Sequence, residues 1–312
     1  MDQVILVTGA SAGIGRACAD RLHRPGGTGK VGQSSQNGRS GRTVVGASRR
    51  ETTGVRWTSL VMDVDRDDSV VDGVQAVLAE HGRLDVVVAC AGWGLAGAVE
   101  ETPITDAKDQ LETNFWGAVR VVNAALPAMR AQQGGRIVLM SSIGGVVAIP
   151  FQAFYSASKF ALEGYAEALA YEVAPFGVHV TLVEPGNVRT EFTARRRSVG
   201  AAGAAGAAGA AGAANHTAGT DPSRASNPAT DPSRAPSPYA AAARRAIAVM
   251  EADEARGVPA EQVAAVVERV IQSDRPPRHV SVGKAGERVG ILARRLLPYR
   301  VFEWAARDSL GV

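Results

Sequence analysis

The feature that most constrains this chain is an alternation between short apolar, β-branched runs and stretches of helix length. The runs fall at 4–8, 43–48, 55–62, 84–90, 136–141, 178–184 and 279–282. Several are apolar at almost every position. A strand with one wet face alternates apolar and polar residues, so runs without that alternation predict strands buried on both faces. Helices are predicted over 13–23, 67–81, 105–130 and 152–174. Parallel strands need a long crossover between them, and a helix supplies it. The repeated unit therefore predicts one α/β domain, a parallel sheet of seven strands with helices on both faces.

Composition narrows the class. The chain has 312 residues, 46% of them hydrophobic, enough for a sizeable core. Its net charge of +3 is small and scattered, which argues against nucleic acid as a partner. Two cysteines, Cys18 and Cys90, lie in apolar segments and read as core residues in a reducing, cytoplasmic setting. No basic-then-apolar leader opens the chain, and no run of about 18 apolar residues predicts a membrane span.

Two segments break the pattern. Residues 25–42 are rich in Gly, Ser, Gln and Asn and read as a flexible surface insertion. Residues 198–238 hold a Gly-Ala-Ala repeat over 200–214 and two copies of Thr-Asp-Pro-Ser-Arg-Ala. Glycine at every third position costs about 1 kcal/mol each against a helix. The Pro/Ser/Asn-rich half predicts disorder. Residues 239–312 return to helices (239–256 and 259–273) and the last strand, completing the domain. The tail at 288–307 mixes apolar residues with Arg294, Arg295 and Arg300. It is expected to pack over the substrate cleft, with contact to a membrane surface as the alternative.

The first strand ends in Thr8-Gly9-Ala10-Ser11-Ala12-Gly13-Ile14-Gly15, and a helix follows. A glycine-rich turn between strand and helix lets backbone amides approach a pyrophosphate, whose charge the helix N-terminus favours. With the alternating pattern, this predicts a doubly wound (Rossmann) nucleotide-binding domain. The turn resembles the TGxxxGxG element of the short-chain dehydrogenase/reductase family. In that resemblance Gly9, Ser11, Gly13, Ile14 and Gly15 line the phosphates.

The tip of the second strand, Ser48-Arg49-Arg50, carries no carboxylate to hold an adenosine ribose. Ser48 and Arg49 can instead bind a 2′-phosphate, Arg49 in a bidentate way. NADP(H) is therefore the expected cofactor, with NAD(H) as the alternative. The resemblance assigns Asp63 and Val64 to the adenine and Ala91 and Gly92 to the passage of the cofactor. Cys90 stands where the family usually has Asn.

Tyr155-Ser156-Ala157-Ser158-Lys159 places a phenol and an ammonium at i and i+4, on one helix face. A nearby ammonium is expected to favour the phenolate and lower the tyrosine pKa. Ser142 stands thirteen residues upstream, at the spacing of the family's catalytic serine, where its hydroxyl would orient the substrate oxygen. Asn114 matches the family's helix asparagine, which holds a water linking the lysine to solvent. Pro185-Gly186-Asn187-Val188-Arg189-Thr190 resembles the Pro-Gly-x-x-x-Thr element, with Val188 and Thr190 on the nicotinamide side. The resemblance covers roughly 4–192.

Its implication is an oxidoreductase acting on CH–OH groups, interconverting a carbonyl and an alcohol with Tyr155 as general acid/base. No metal is implied. The expected cleft residues, 144–151, Trp93 and Phe192, are mostly apolar and suggest a lipophilic substrate. The extended tail with Leu296-Leu297-Pro298 resembles the hydroxysteroid and retinol dehydrogenase branch of the family, which implies a steroid, a retinoid or a similar molecule. Alternatives are a 3-oxoacyl-type reductase, a non-catalytic NADP-binding sensor or scaffold, and an extended-branch sugar-nucleotide epimerase or dehydratase. By analogy with the family a homodimer or homotetramer is expected.

Overall fold

A computed structural model describes residues 3–23, 41–200, 237–298 and 300–302. Most of the two expected insertions, and the tail from 303, lie outside the described residues. The first half of the fold runs β1 (Gln3–Thr8), α1 (Gly13–Leu22), β2 (Arg42–Ser48), β3 (Thr58–Val61), α2 (Asp67–His81), β4 (Val86–Ala89) and β5 (Leu95–Ala96). Then come α3 (Ile104–Leu111), α4 (Gly117–Ala131), β6 (Gly135–Met140), α5 (Ala153–Val173), β7 (Val178–Pro185) and β8 (Val188–Arg189). The last elements are α6 (Phe192–Arg195), β9 (Arg197–Ser198), α7 (Ala240–Ala255), β10 (Val258–Pro259), α8 (Ala260–Gln272), β11 (His279–Val282) and α9 (Ala285–Leu296).

Seven of the strands form one parallel sheet in the order β3-β2-β1-β4-β6-β7-β11. The chain builds outward from β1 to β3, then returns through α2 to β4 on the other side of β1. That reversal opens a crevice at the carboxyl ends of β1 and β4, where open α/β sheets bind ligands.

β1 shows why the strands lack alternation. Val4 and Leu6 join the cluster against α2, α4 and α5, whereas Ile5 and Val7 join the cluster against α1 and α8. All four are at most 4% exposed. Glu184, fully buried on β7, accepts from Ser281 Oγ at 2.7 Å and pairs with His279 Nδ1 at 2.9 Å, which ties β11 to the sheet.

Several boundaries differ from expectation. The predicted helix over 105–130 is α3, a π-helical turn at Glu112–Trp116, and α4. The third strand is shorter than 55–62 because only Thr58–Val61 pairs with β2. Arg42 belongs to β2, and Ser198 to β9. Val199 is buried and donates to Ala96 O at 2.9 Å, so the low-complexity segment begins later than 198. Two small parallel pairs, β5 with β9 and β8 with β10, have no counterpart among the predicted strands. Two residues carry no periodicity to read.

Candidate active site

The glycine-rich turn caps β1. Gly9 has φ +67°, and a Cβ there would lie 2.9 Å from the Ala91 backbone at the end of β4. Only glycine meets both conditions. Gly15 presses on the Gly9 carbonyl, where a Cβ would come within 2.3 Å of its oxygen. α1 begins without a side-chain cap and with no acidic residue in its first turn. Its leading N–H groups are thus left for an anion. Ser11 is exposed at this turn and Ile14 half-buried. Thr190 stands over Gly13, where a Cβ would lie 3.6 Å from the threonine Cβ. A turn packed this closely at a helix N-terminus can receive an anionic group.

The adenosine side is partly committed to its own structure. Ser48 Oγ donates to Arg50 O at 2.7 Å and lies 3.1 Å from Thr52 Oγ1, so this hydroxyl is engaged in the strand-tip turn. Arg49 is exposed beside it, near enough to Asp65 to oppose the upward push of burial on that carboxyl. Asp63 Oδ1 accepts from Asp65 N at 3.1 Å. Val64 is buried against Gly117. Cys18 is buried beneath the site and Cys90 half-buried, both free thiols. The hydrogen bond to Cys90, then burial, push the Cys18 thiol well above its ordinary value.

Ser142, Tyr155 and Lys159 come together at the carboxyl end of β6. Ser142 caps a short 3-10 turn, accepting from Gly144 N at 3.0 Å. That bond uses an oxygen lone pair and leaves the hydroxyl proton to be donated. Tyr155 and Lys159 project from the buried face of α5. Lys159 Nζ donates to Met140 O at 2.8 Å and lies 5.9 Å from the Tyr155 ring centroid. Burial pulls the Lys159 ammonium down to about 8, with Cys90 and Glu163 opposing.

The tyrosine corrects one expectation. Burial raises the Tyr155 phenol above its ordinary value, and the neighbouring Ser142 hydroxyl only partly offsets this. Desolvation therefore wins, and the phenol stays protonated at neutral pH.

Asn114 is buried in the π-helical turn. Its Oδ1 accepts from Trp93 N at 3.0 Å, and its Nδ2 donates to Trp93 O and Ser158 Oγ. The side chain thus fastens the Gly92–Trp93 corner to α5. Gly92 lies between Asn114 Oδ1 and Lys159 Nζ, 3.0 and 3.9 Å from a Cβ built there.

The turn after β7 is held by a residue that sequence reasoning missed. Glu287, in the first turn of α9, accepts from Asn187 N at 3.2 Å, Asn187 Nδ2 at 2.8 Å and Lys284 N at 2.9 Å. Gly186 passes so close that a Cβ would sit 2.1 Å from Glu287 Oε2. Val188 is buried and pairs with Val258. Beyond it, the expected cleft residue Phe192 packs edge-to-face on Tyr155, with ring centroids 5.8 Å apart. Arg196 and Glu254 also face this region and were not foreseen, since 58 residues separate the partners.

Comparison with known proteins identifies the family. Residues 3–199 match the short chain dehydrogenase family. A 3-ketodihydrosphingosine reductase of Bacteroides thetaiotaomicron is 33% identical over 306 residues, covering 98% of this chain and 97% of its own. Retinol dehydrogenase 8 of Homo sapiens is 37% identical over 194 residues, 62% of this chain and 61% of that protein. A short-chain dehydrogenase structure from Streptomyces avermitilis superposes with TM-score 0.71 at 27% identity, covering 100% of this chain and 97% of its own. The chain is therefore an oxidoreductase with a nicotinamide nucleotide as cofactor, and it belongs to the short-chain dehydrogenase family.

Proposed function

We propose that the protein is an NADP-dependent ketone reductase acting on a lipophilic substrate, with Tyr155 as the proton donor. The observation that carries this reading is the convergence of a protonated, buried Tyr155 with Ser142 and Lys159 beside the glycine-rich turn. The bound nicotinamide supplies the hydride. Ser142 donates a hydrogen bond to the substrate oxygen, its own lone pair being occupied by Gly144 N. Tyr155 delivers its proton as negative charge develops on that oxygen. Lys159 stabilises the phenolate left behind, and Asn114 positions the Gly92–Trp93 backbone beside the lysine.

Arg49 supports NADP over NAD, since it is the cation at the tip of β2 where no carboxylate stands. The lipophilic substrate is supported by Phe192 on the Tyr155 ring and Ile149 beside that ring at Gly144, and by likeness to a 3-ketodihydrosphingosine reductase along nearly the whole chain. The experiment is NADPH oxidation against a panel of long-chain ketones, with NADH alongside. Turnover with NADPH and a rate that rises with chain length are expected. Binding of NADPH without turnover of any ketone would overturn the reductase reading.

Two associations follow from exposed apolar side chains. Phe160 and Tyr171, eleven residues apart on one face of α5, are both exposed, as is Trp116 ahead of α4. This face supports a homodimer or homotetramer. The described residues contain no helix long and apolar enough to cross a membrane. α9, however, exposes Val289, Leu292 and Leu296 next to a basic tail, which supports peripheral contact with an anionic lipid surface from the cytoplasm.

A further inference from the structure

Arg196 is the least satisfied buried cation near the site. Its side chain is 2% exposed, and its Nη2 pairs with Glu254. Its Nε and Nη1 are buried and find no acceptor among the described residues. A guanidinium carries five donors and no acceptor, so burying it with idle N–H groups is unfavourable unless something else completes the shell.

The guanidinium is held firmly in place. Glu254, from α7, takes Nη2 with one oxygen and the Thr193 hydroxyl with the other. Arg197 N donates to Gly94 O at 2.8 Å, which starts the β5–β9 pair and straps the segment down. Gly94 touches both Phe192 and Arg196, with a Cβ there falling 2.8 Å from the ring and 3.6 Å from Arg196 Cγ. Phe192 in turn packs on Tyr155. Arg196 and Glu254 also lie near enough to bias the Tyr155 phenol, Glu254 upward and Arg196 downward.

We propose that the Arg196–Glu254 pair recognises a hydroxyl group carried by the ketone substrate close to its reacting carbon. The charge pattern selects this ligand. A carboxylate at Nη1 would meet the repulsion of Glu254, and an ammonium at Glu254 would meet that of Arg196. A hydroxyl both accepts and donates, so it can accept a hydrogen bond from the idle Nη1 and donate one to the carboxylate beside it. The pair is then a specificity-determining element, and the substrate is a hydroxyketone with an apolar remainder. This rests on the ketone-reductase reading above.

The test compares a long-chain methyl ketone with its counterparts hydroxylated on the carbons α and β to the carbonyl. The wild-type protein is expected to prefer one hydroxyketone by roughly tenfold or more in kcat/KM, the worth of one hydrogen bond to a charged group. Arg196→Met alone leaves Glu254 buried without its counter-ion, so the working variant is Arg196→Met/Glu254→Gln. In it the ratio is expected to collapse toward one, while Arg196→Lys keeps part of it. Inhibition of the wild-type protein by matched long-chain diols and alcohols repeats the comparison without substitution, and the diol is expected to bind about tenfold tighter. Equal turnover of hydroxylated and plain ketones by wild type overturns the inference and leaves the reductase reading intact. So does a ratio unchanged in the double variant, or an NADPH Kd that weakens in step with kcat/KM, which would place Arg196 on the cofactor. Failure to turn over any ketone overturns both.

Discussion

Tyr155 and Lys159 share a helix face and a dry environment, and burial moves each toward its neutral form. Tyr155→Phe keeps the ring against Phe192 but removes the proton, so kcat is expected to fall by about 10²–10⁴-fold with NADPH affinity nearly intact. Steady-state turnover and fluorescence titration would show it, and normal turnover would sink the mechanism. Lys159 predicts the pH profile. Its folded value, about 8, lies below the ordinary 10.5. Below about 8 the ammonium is charged in both folded and unfolded chains, and its burial cost is fully present. Between about 8 and 10.5 the folded protein loses the proton first, so this group's contribution to stability rises with pH across that window. Activity runs the other way, because the ammonium is needed to hold the phenolate. A decline of kcat/KM for reduction above pH about 8, flattened in Lys159→Ala, is the expected outcome. Arg49→Ala is expected to weaken NADPH by roughly tenfold and leave NADH unchanged, one charge-assisted hydrogen bond being at stake. Tyr155 and Lys159 were legible in the sequence because residues four apart share a helix face, and Ser142 was legible through its resemblance to the family's serine spacing. Arg196, Glu254 and Glu287 were not. Their partners lie far along the chain, and each reads locally as an ordinary solvated charge.

At the scale of elements, α9 does more than cover the sheet edge. Its first turn closes on itself through Glu287 and Lys284, and the same carboxylate holds Asn187. The helix N-terminus and the loop after β7 are therefore one unit. Glu287→Ala removes both functions and is expected to cost about 0.5–2 kcal/mol, the usual worth of a cap. That predicts a melting temperature a few degrees lower and a weaker NADPH Kd, since the loop carrying Val188 and Thr190 loses its anchor. A lower melting temperature with unchanged nucleotide affinity would separate the cap from the site. The long elements were legible for the same reason they are stable: the inner strands β1, β2, β4, β6 and β7, buried on both faces over most of their length, leave a nearly unbroken apolar signature, and α8 carries its valines at helical spacing. The π-helical turn was not legible. Glu112–Trp116 keeps helical periodicity, and only the pull of Asn114 onto Trp93 and Ser158 distinguishes it.

The whole molecule places its apolar surface unevenly. Ile291 turns inward from α9, while Val289, Leu292 and Leu296 turn outward, 63%, 55% and 72% exposed. Leu297 and Val301 extend this surface, and Lys284, Arg288 and Arg300 lie along the same segment. An apolar stripe flanked by cations is the pattern of a helix lying in a membrane interface. Because Glu287 fastens this helix to the loop after β7, a docked protein would hold its substrate cleft close to the lipid in which a lipophilic ketone dissolves. Sedimentation with vesicles of phosphatidylglycerol and of phosphatidylcholine distinguishes the outcomes. Binding is expected to be several-fold tighter to the anionic vesicles and to weaken as salt screens the basic residues. Leu292→Glu/Leu296→Glu should abolish it without lowering the melting temperature, because neither side chain is part of the core. If those substitutions instead convert a larger assembly to a smaller one and vesicles never bind, the stripe is a contact between copies of the chain. Substrate would then have to reach the cleft from solution.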